Sequence, residues 1–369
     1  MGNKARVIAM YLPQYHPIKE NDEWWGKGFT EWTNVGKAKP LFKGHYQPRI
    51  PADLGYYDLR LPIVREQQAE LARDAGIEGF MYWHYWFGNG RTLLSEIFDD
   101  VVKSGQPDFP FCVGWANHEW SNKTWDLKNQ ALSRRVLMPM EYPGDEDYIC
   151  HFNSLLPAFK DHRYIKVDGK LIFVIWDPLG IPDFSHFKKL WNKMANEHSL
   201  NGFHFVALAG KGTSTYEKIR KLEFDGFSLG NQWLAEKKVI GSSFIHKILT
   251  RMREKFPHFV PLDKYSYSEI TENLFGEEEK EENIYPQIIP NWDRSPRAGR
   301  KAVIYTGSTP GLFKKHVETA LSLVDDKSPE HKIIFLRSWN EWGEGNYMEP
   351  DLKFGKGYLN ALKNALRSK

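Results

Sequence analysis

Two cysteines in 369 residues, Cys112 and Cys150, are too few for a disulfide framework and too far apart for metal-ligand spacing. Both stand beside apolar or aromatic neighbours, which leads us to expect free, buried thiols. No apolar run approaches the roughly 18 residues that a membrane span needs. The opening stretch, MGNKARVIAMYLPQY, lacks the apolar core and small-residue cleavage site of a signal peptide. The expectation is a cytoplasmic protein with no membrane span. Charge is balanced as well: 50 basic against 47 acidic side chains leave +3, spread along the chain. No basic stripe points to nucleic acid or anionic lipid. A glycine-rich phosphate loop is missing after the first apolar run, and the doublets Asp99-Asp100 and Asp325-Asp326 fall in helical segments rather than after a strand. His118-Glu119 has no second histidine at helical spacing, so it is not a zinc motif. Neither a metal nor an organic cofactor is expected, and the sequence is silent on oligomeric state.

What is abundant is aromatic surface: 14 Trp and 17 Tyr within a 15% aromatic chain exceed what a core needs, and such excess commonly ends on a binding surface. The length suits two ordinary domains or one α/β barrel. Eight short apolar runs decide between them: 6–12, 79–86, 111–115, 171–176, 203–209, 226–230, 286–292 and 333–339. Nearly all are continuous rather than alternating, the pattern of strands covered on both faces in a parallel sheet. Between them lie helix-period segments at 62–76, 92–105, 145–159, 184–199, 214–223, 243–256 and 310–326, and 358–368 closes the chain. Asp145 or Gly144, Asp183, and Thr309 ahead of Pro310 read as helix starts, and Gly76 and Gly105 as stops. The alternation predicts an α/β fold, a (β/α)8 TIM barrel with long βα loops, forming one domain over 1–369. GEEEKEEN (276–283) reads as a solvated loop or helix end.

In such barrels chemistry gathers where strands end and βα loops begin. The first loop, 13–60, is long enough to suggest function, and it carries Trp24, Trp25, Glu31 and Trp32. Indoles stack on the C–H faces of sugars while carboxylates and amides accept from hydroxyls, so this mixture points to carbohydrate. Packing of the loop on its own aromatics is the competing reading. In YWHYWFGNG (82–90), Tyr82, His84 and Trp86 share one strand face and Trp83 and Tyr85 the other; His84 and Trp86 are the expected site members. GWANHEW (114–120) offers Trp115, Asn117, Glu119 and Trp120. Later strand ends add Trp176 and Asp177, then Gln232, then Trp292, Asp293 and Arg294.

The last run leads into SWNEWGEGNYMEP (338–350), with Asn340, Glu341, Trp342, Glu344, Asn346, Tyr347 and Glu349. Glutamates three apart come to one side of a turn, where burial and mutual repulsion raise at least one pKa. One carboxyl then keeps a proton at neutral pH while the other is ionised, as glycosidic cleavage requires. Gly343 and Gly345 permit a tight backbone.

With these motifs assembled, the chain resembles the WbsX-type, glycoside hydrolase family 99-like proteins of bacterial polysaccharide and O-antigen loci. The likeness spans nearly the whole chain through YLPQYHP (11–17), EWWGKGFTEWTNV (23–35), HYWFGNGRTLL (84–94), WANHEW (115–120), NWDRSPR (291–297) and WNEWGEGNYMEP (339–350). The closing motif is similar to the Asn-Glu-Trp-x-Glu-Gly loop of family 99 endo-α-mannosidases. That resemblance implies Glu341 as the base that draws the sugar 2-hydroxyl proton, giving a 1,2-anhydro sugar, and Glu344 as the acid that protonates the leaving group and later activates water. The expected function is a retaining hydrolase, endo-acting on an α-linked, mannan-like or bacterial O-antigen or capsular glycan. Two alternatives stand beside it: a glycosyltransferase of polysaccharide biosynthesis and a non-catalytic carbohydrate-binding protein.

Overall fold

The computed structural model describes residues 4–122, 135–210, 215–241 and 244–367. Eight strands, β1 (Arg6–Tyr11), β2 (Gly79–Trp86), β3 (Phe111–Trp115), β4 (Lys170–Ile175), β5 (Phe203–Ala209), β6 (Gly226–Leu229), β7 (Ile284–Ile288) and β8 (Ile333–Leu336), pair in sequence order, all parallel. The ring closes because β1 pairs with both β2 and β8, Ile8 opposite Gly79 and Arg6 opposite Ile333. The chain is a (β/α)8 barrel, and the runs buried on both faces are its staves.

Local signals act as the sequence indicates. The Asp183 side chain accepts from the His186 amide at the start of Phe184–Glu197, and Thr309 accepts from Leu312 at the start of Pro310–Val324. Gly76 and Gly105 end their helices in the left-handed region, with φ of 88° and 72°. Gly79 serves another need: a Cβ there would lie 2.3 Å from the Pro110 carbonyl oxygen, so β2 can approach its neighbour only without a side chain.

Several expectations change. The seventh and eighth strands end at Ile288 and Leu336, earlier than the apolar runs imply, because the residues beyond turn into the loops that build the barrel mouth. Thr92–Leu93 is not helical; it folds back antiparallel on Tyr85 and Trp86, and the helix begins at Glu96. Helix 214–223 shrinks to Tyr216–Arg220, and Ser214 and Ser243 lie outside the described residues. Cys112 is buried but Cys150 is exposed, on the outer side of helix Asp145–Phe159. The acidic run is not wholly solvated: Glu279 is buried, accepting from Asn231 Nδ2 (2.7 Å) and the Gly276 amide (2.8 Å). Segment 13–60 is not structureless either; it holds helices Lys19–Trp25 and Glu31–Lys37, the second capped by Thr30.

Between the helices and strands, fully buried Trp191 packs against Phe173, Phe187 and Phe203, with ring centroids 4.6 to 5.3 Å apart. Its indole N–H donates to the Tyr148 carbonyl. Trp191→Ala is expected to destabilise the fold by roughly 3–5 kcal/mol in chemical denaturation, since the cavity cannot collapse among rigid rings.

Candidate active site

The site is assembled by the loop after β8. Asn340 acts as a substitute peptide: its Oδ1 accepts from the Leu12 amide (2.8 Å) and its Nδ2 donates to the Leu12 carbonyl (3.0 Å), fastening the loop to the end of β1. Asn340–Glu341 then pairs back with Asn346–Tyr347 around the tight turn Trp342–Glu344. Gly345 takes φ +60° against Asp293, and a Cβ on Gly343 would stand 2.1 Å from Glu31 Oε2. No other residue lets the loop lie this close to Glu31.

That closeness brings four charged groups together. Buried Arg297 donates from Nε to Glu31 Oε2 (3.0 Å) and from Nη2 to Glu341 Oε2 (2.8 Å), while its Nη1 lies 2.8 Å from Glu344 Oε1. Arg294 Nε approaches Glu344 at 3.2 Å. Burial pushes Glu341 up to about 7, against the pull of Arg297 and with help from the charges of Glu344 and Glu31. Burial acts on Glu344 too, but Arg297, Arg294 and Arg337 outweigh it and hold that carboxyl below the ordinary glutamate range. The surroundings thus push the two carboxyls apart, favouring the proton on Glu341 and the charge on Glu344.

Both carboxylates face a cavity of about 240 Å³ at the C-terminal mouth of the barrel. Trp25, Trp120, Trp176, Arg294 and Asn346, all singled out in the sequence, line it. Trp176 is the exposed ring among them, with Trp83 edge-on at 5.4 Å. Asp177 lies instead in an adjoining cavity that shares Trp176.

Other candidates support the walls without lining the cavity. Glu31 is the counterion of Arg297. Asp293 accepts from His45 Nε2 and Gln47 Nε2, both at 2.8 Å, and these bonds with the Arg49 charge override burial to keep it ionised well below the usual range. Its amide donates to the Glu344 carbonyl, holding the turn Trp342–Glu344. Asn117 accepts from the Asp177 amide and donates to the Asp177 carbonyl, tying two loops together. Gln232 accepts from Arg337 at 2.7 Å. Trp32 packs with Tyr15, Tyr57 and Trp342, Tyr347 stacks on Trp342 at 3.7 Å, and Trp292 lies buried beneath Arg337. Trp24 packs edge-on against Trp120, and Glu119 is half-buried away from the cavity.

His84 and Trp86 are corrections. Both point outward to helix Asp145–Phe159, where His84 Nε2 meets His151 Nε2 at 3.0 Å and Trp86 stacks on His151 at 4.7 Å. Trp115 likewise donates to the Trp86 carbonyl inside the packed layer. The opposite strand face, Trp83 and Tyr85, enters the cavity. Arg297 and Arg337, also missed, sit in otherwise ordinary surroundings in sequence; only NWDRSPR hinted at Arg297. Among the described residues no three His, Cys, Asp or Glu side chains gather as a metal site, and no helix is long and apolar enough to cross a membrane.

With this geometry in place, comparison with known proteins is informative. The family model described as glycosyltransferase WbsX matches residues 7–362. The chain belongs to the WbsX family. It is 32% identical over 367 residues to the protein WxcX of Xanthomonas campestris pv. campestris strain B100, covering 98% of this chain and 50% of that one; a second strain's WxcX matches alike. This WbsX-family chain thus spans about half the length of the curated relatives it matches. Among solved structures, a glycoside hydrolase-like protein aligns at TM-score 0.60 and 14% identity over 100% of this chain and 95% of that one. The glycoside hydrolase family 99 endo-α-mannosidase from Bacteroides thetaiotaomicron aligns at 0.52 and 15% over 99% and 96%. At these identities the structures share the fold.

Behind the turn Trp342–Glu344, buried Glu349 accepts from Trp342 Nε1 and Gln68 Nε2, both at 2.6 Å, and from the Tyr57 hydroxyl at 2.9 Å. Burial outweighs these bonds and pushes it up to about 7. It is therefore a brace for Trp342 rather than a cavity group. A carboxyl raised on folding stabilises fully below its unfolded pKa of ~4.3 and loses that contribution as pH rises through about 7. Glu349→Gln should consequently cost less at pH 8 than at pH 5, by on the order of 2 kcal/mol in denaturant titrations.

Proposed function

We propose that this chain is a retaining glycoside hydrolase that cleaves within α-linked polysaccharide, mannan-like or of the bacterial O-antigen or capsular kind. The observation that carries this reading is the Arg297-bridged pair Glu341 and Glu344, held in unlike electrostatic surroundings at the edge of a cavity walled by tryptophans. The match of Asn340 through Gly345 to the family 99 loop, and a fold shared with an endo-α-mannosidase, support the substrate class.

In the proposed reaction Glu341 takes the proton of the sugar 2-hydroxyl, whose oxygen closes on C1 to give a 1,2-anhydro sugar. Glu344 gives its proton to the departing glycosidic oxygen. Water then opens the three-membered ring at C1, losing its proton to Glu344, while Glu341 returns a proton to O2. Two inversions give net retention, outside the usual scheme with an enzyme nucleophile. In the free site burial favours the proton on Glu341, while the arginines favour an ionised Glu344. These roles thus require the proton to pass to Glu344 as substrate binds and loosens the arginine bridge.

The WbsX description favours a second reading, sugar transfer from an activated donor. Stabilisation by a nucleotide sugar in a Mn²⁺- or Mg²⁺-dependent manner would put it first.

Because one proton in the pair is needed whichever residue holds it, kcat/KM should fall above about pH 7, where Glu341 gives it up. Equal activity at pH 6 and pH 9 would contradict the assignment. Glu344→Gln is expected to lose about 10²–10⁴-fold on natural glycan and to regain the first step on an α-glycosyl fluoride, read as rapid initial fluoride release, since that leaving group needs no protonation while the water step still lacks its base. Glu341→Gln should stay inactive on both. Rescue of Glu341→Gln instead would exchange the two roles.

A further inference from the structure

A second cavity of about 310 Å³ opens beside the first, and Met10, Trp176 and Arg337 line both. Arg337 differs from its neighbours in charge balance. Arg297 is engaged by three carboxylates and Arg294 by one. Among the described residues Arg337 has no carboxylate within ion-pair distance; its Nη1 donates to the neutral Gln232 side chain at 2.7 Å. The guanidinium lies 5.0 Å from the Trp292 ring and 5.9 Å from that of Trp176, which fixes its plane at the junction of the two cavities. Burial lowers its pKa, and the more distant charges of Glu344 and Glu341 only partly offset that.

Close behind the cavity walls, some buried polar atoms have no hydrogen-bond partner among the described residues. Asn346, fully buried, uses neither its amide nitrogen nor its oxygen in the first cavity, and Gln287, 3% exposed, leaves Oε1 free in the second. A ligand carrying one negative charge would complete Arg337 at the junction of the two cavities.

We infer that Arg337 forms a subsite for an acidic sugar, its guanidinium pairing with the carboxylate of a uronic-acid residue next to the bond that is cleaved. This rests on the reading of the cavity as a sugar site and narrows its substrate class. A planar fork matches a carboxylate in two parallel hydrogen bonds. A diphosphate, with its higher charge, is matched less well by a single guanidinium, and no lysine stands among the described residues of the two linings.

Calorimetric titration of the whole chain tests this without relying on turnover. The probes are an α-linked galacturonate oligosaccharide, the same oligosaccharide with its carboxylates reduced to alcohols, and inorganic diphosphate, each at low and high salt. The acidic oligosaccharide should bind wild type at least about tenfold tighter than the reduced one, the margin expected for a charge-assisted hydrogen bond, and added salt should narrow the gap. Arg337→Gln should abolish the difference and Arg337→Lys retain part of it. The salt comparison on wild type stands even if a variant folds poorly. Equal affinity of the two oligosaccharides, an undiminished preference in folded Arg337→Gln, or tight diphosphate binding with neglect of the uronate would each overturn the subsite. Binding of the reduced oligosaccharide alone would leave the sugar cavity intact while removing its acidic preference. Binding of neither would remove both.

Discussion

A single buried guanidinium organises the mouth of this barrel. Arg297 draws in Glu31 from the first βα loop and Glu341 and Glu344 from the last, so segments more than 250 residues apart in sequence meet on one planar group. Taking such charges out of water is expensive and is recovered only when each is matched by well-placed hydrogen bonds. The loops consequently have little freedom: Asn340 fastens one end to β1, Glu349 braces Trp342 from behind, and Gly343 leaves the space Glu31 requires. The same arrangement separates the two catalytic candidates electrostatically, one carboxyl raised by burial and the other held ionised by three arginines.

The barrel was readable because strands covered on both faces must be apolar throughout, and eight such runs alternate with helical periods. The paired carboxylates at the barrel mouth were readable because two glutamates in an aromatic, glycine-rich turn after the last strand have no role in a core. Other features were hidden for physical reasons. Strand alternation divides His84 and Trp86 from Trp83 and Tyr85 but does not say which set faces inward, since both sets are large and aromatic. Helix Asp145–Phe159 settles it by burying His151 against the first set. Arg297 and Arg337 were hidden because an arginine's importance lies in what surrounds it in space. Glu31 was noticed in the long first loop and Asp293 beyond a strand end, yet each holds a cation or a turn rather than facing the cavity.

The aromatic excess also divides once the structure is known. Trp32, Trp115, Trp191, Trp339 and Trp342 serve packing, with Tyr11, Tyr15 and Tyr57 around the inner end of the first loop. Trp25, Trp83, Trp120 and Trp176 remain for the cavity wall, with Tyr85 beside them. This is a surface suited to stacking on flat, hydroxyl-rich rings, placed where the βα loops of such barrels meet.

The most direct test of the central claim follows new reducing ends by NMR when the protein is incubated with α-linked mannans and bacterial O-polysaccharides in the absence of any nucleotide sugar. The account predicts cleavage by the chain alone, the first-formed anomer retaining the α configuration. Inverted product would contradict the neighbouring-group route, and no cleavage of any glycan, with transfer restored by an activated donor, would contradict hydrolysis itself.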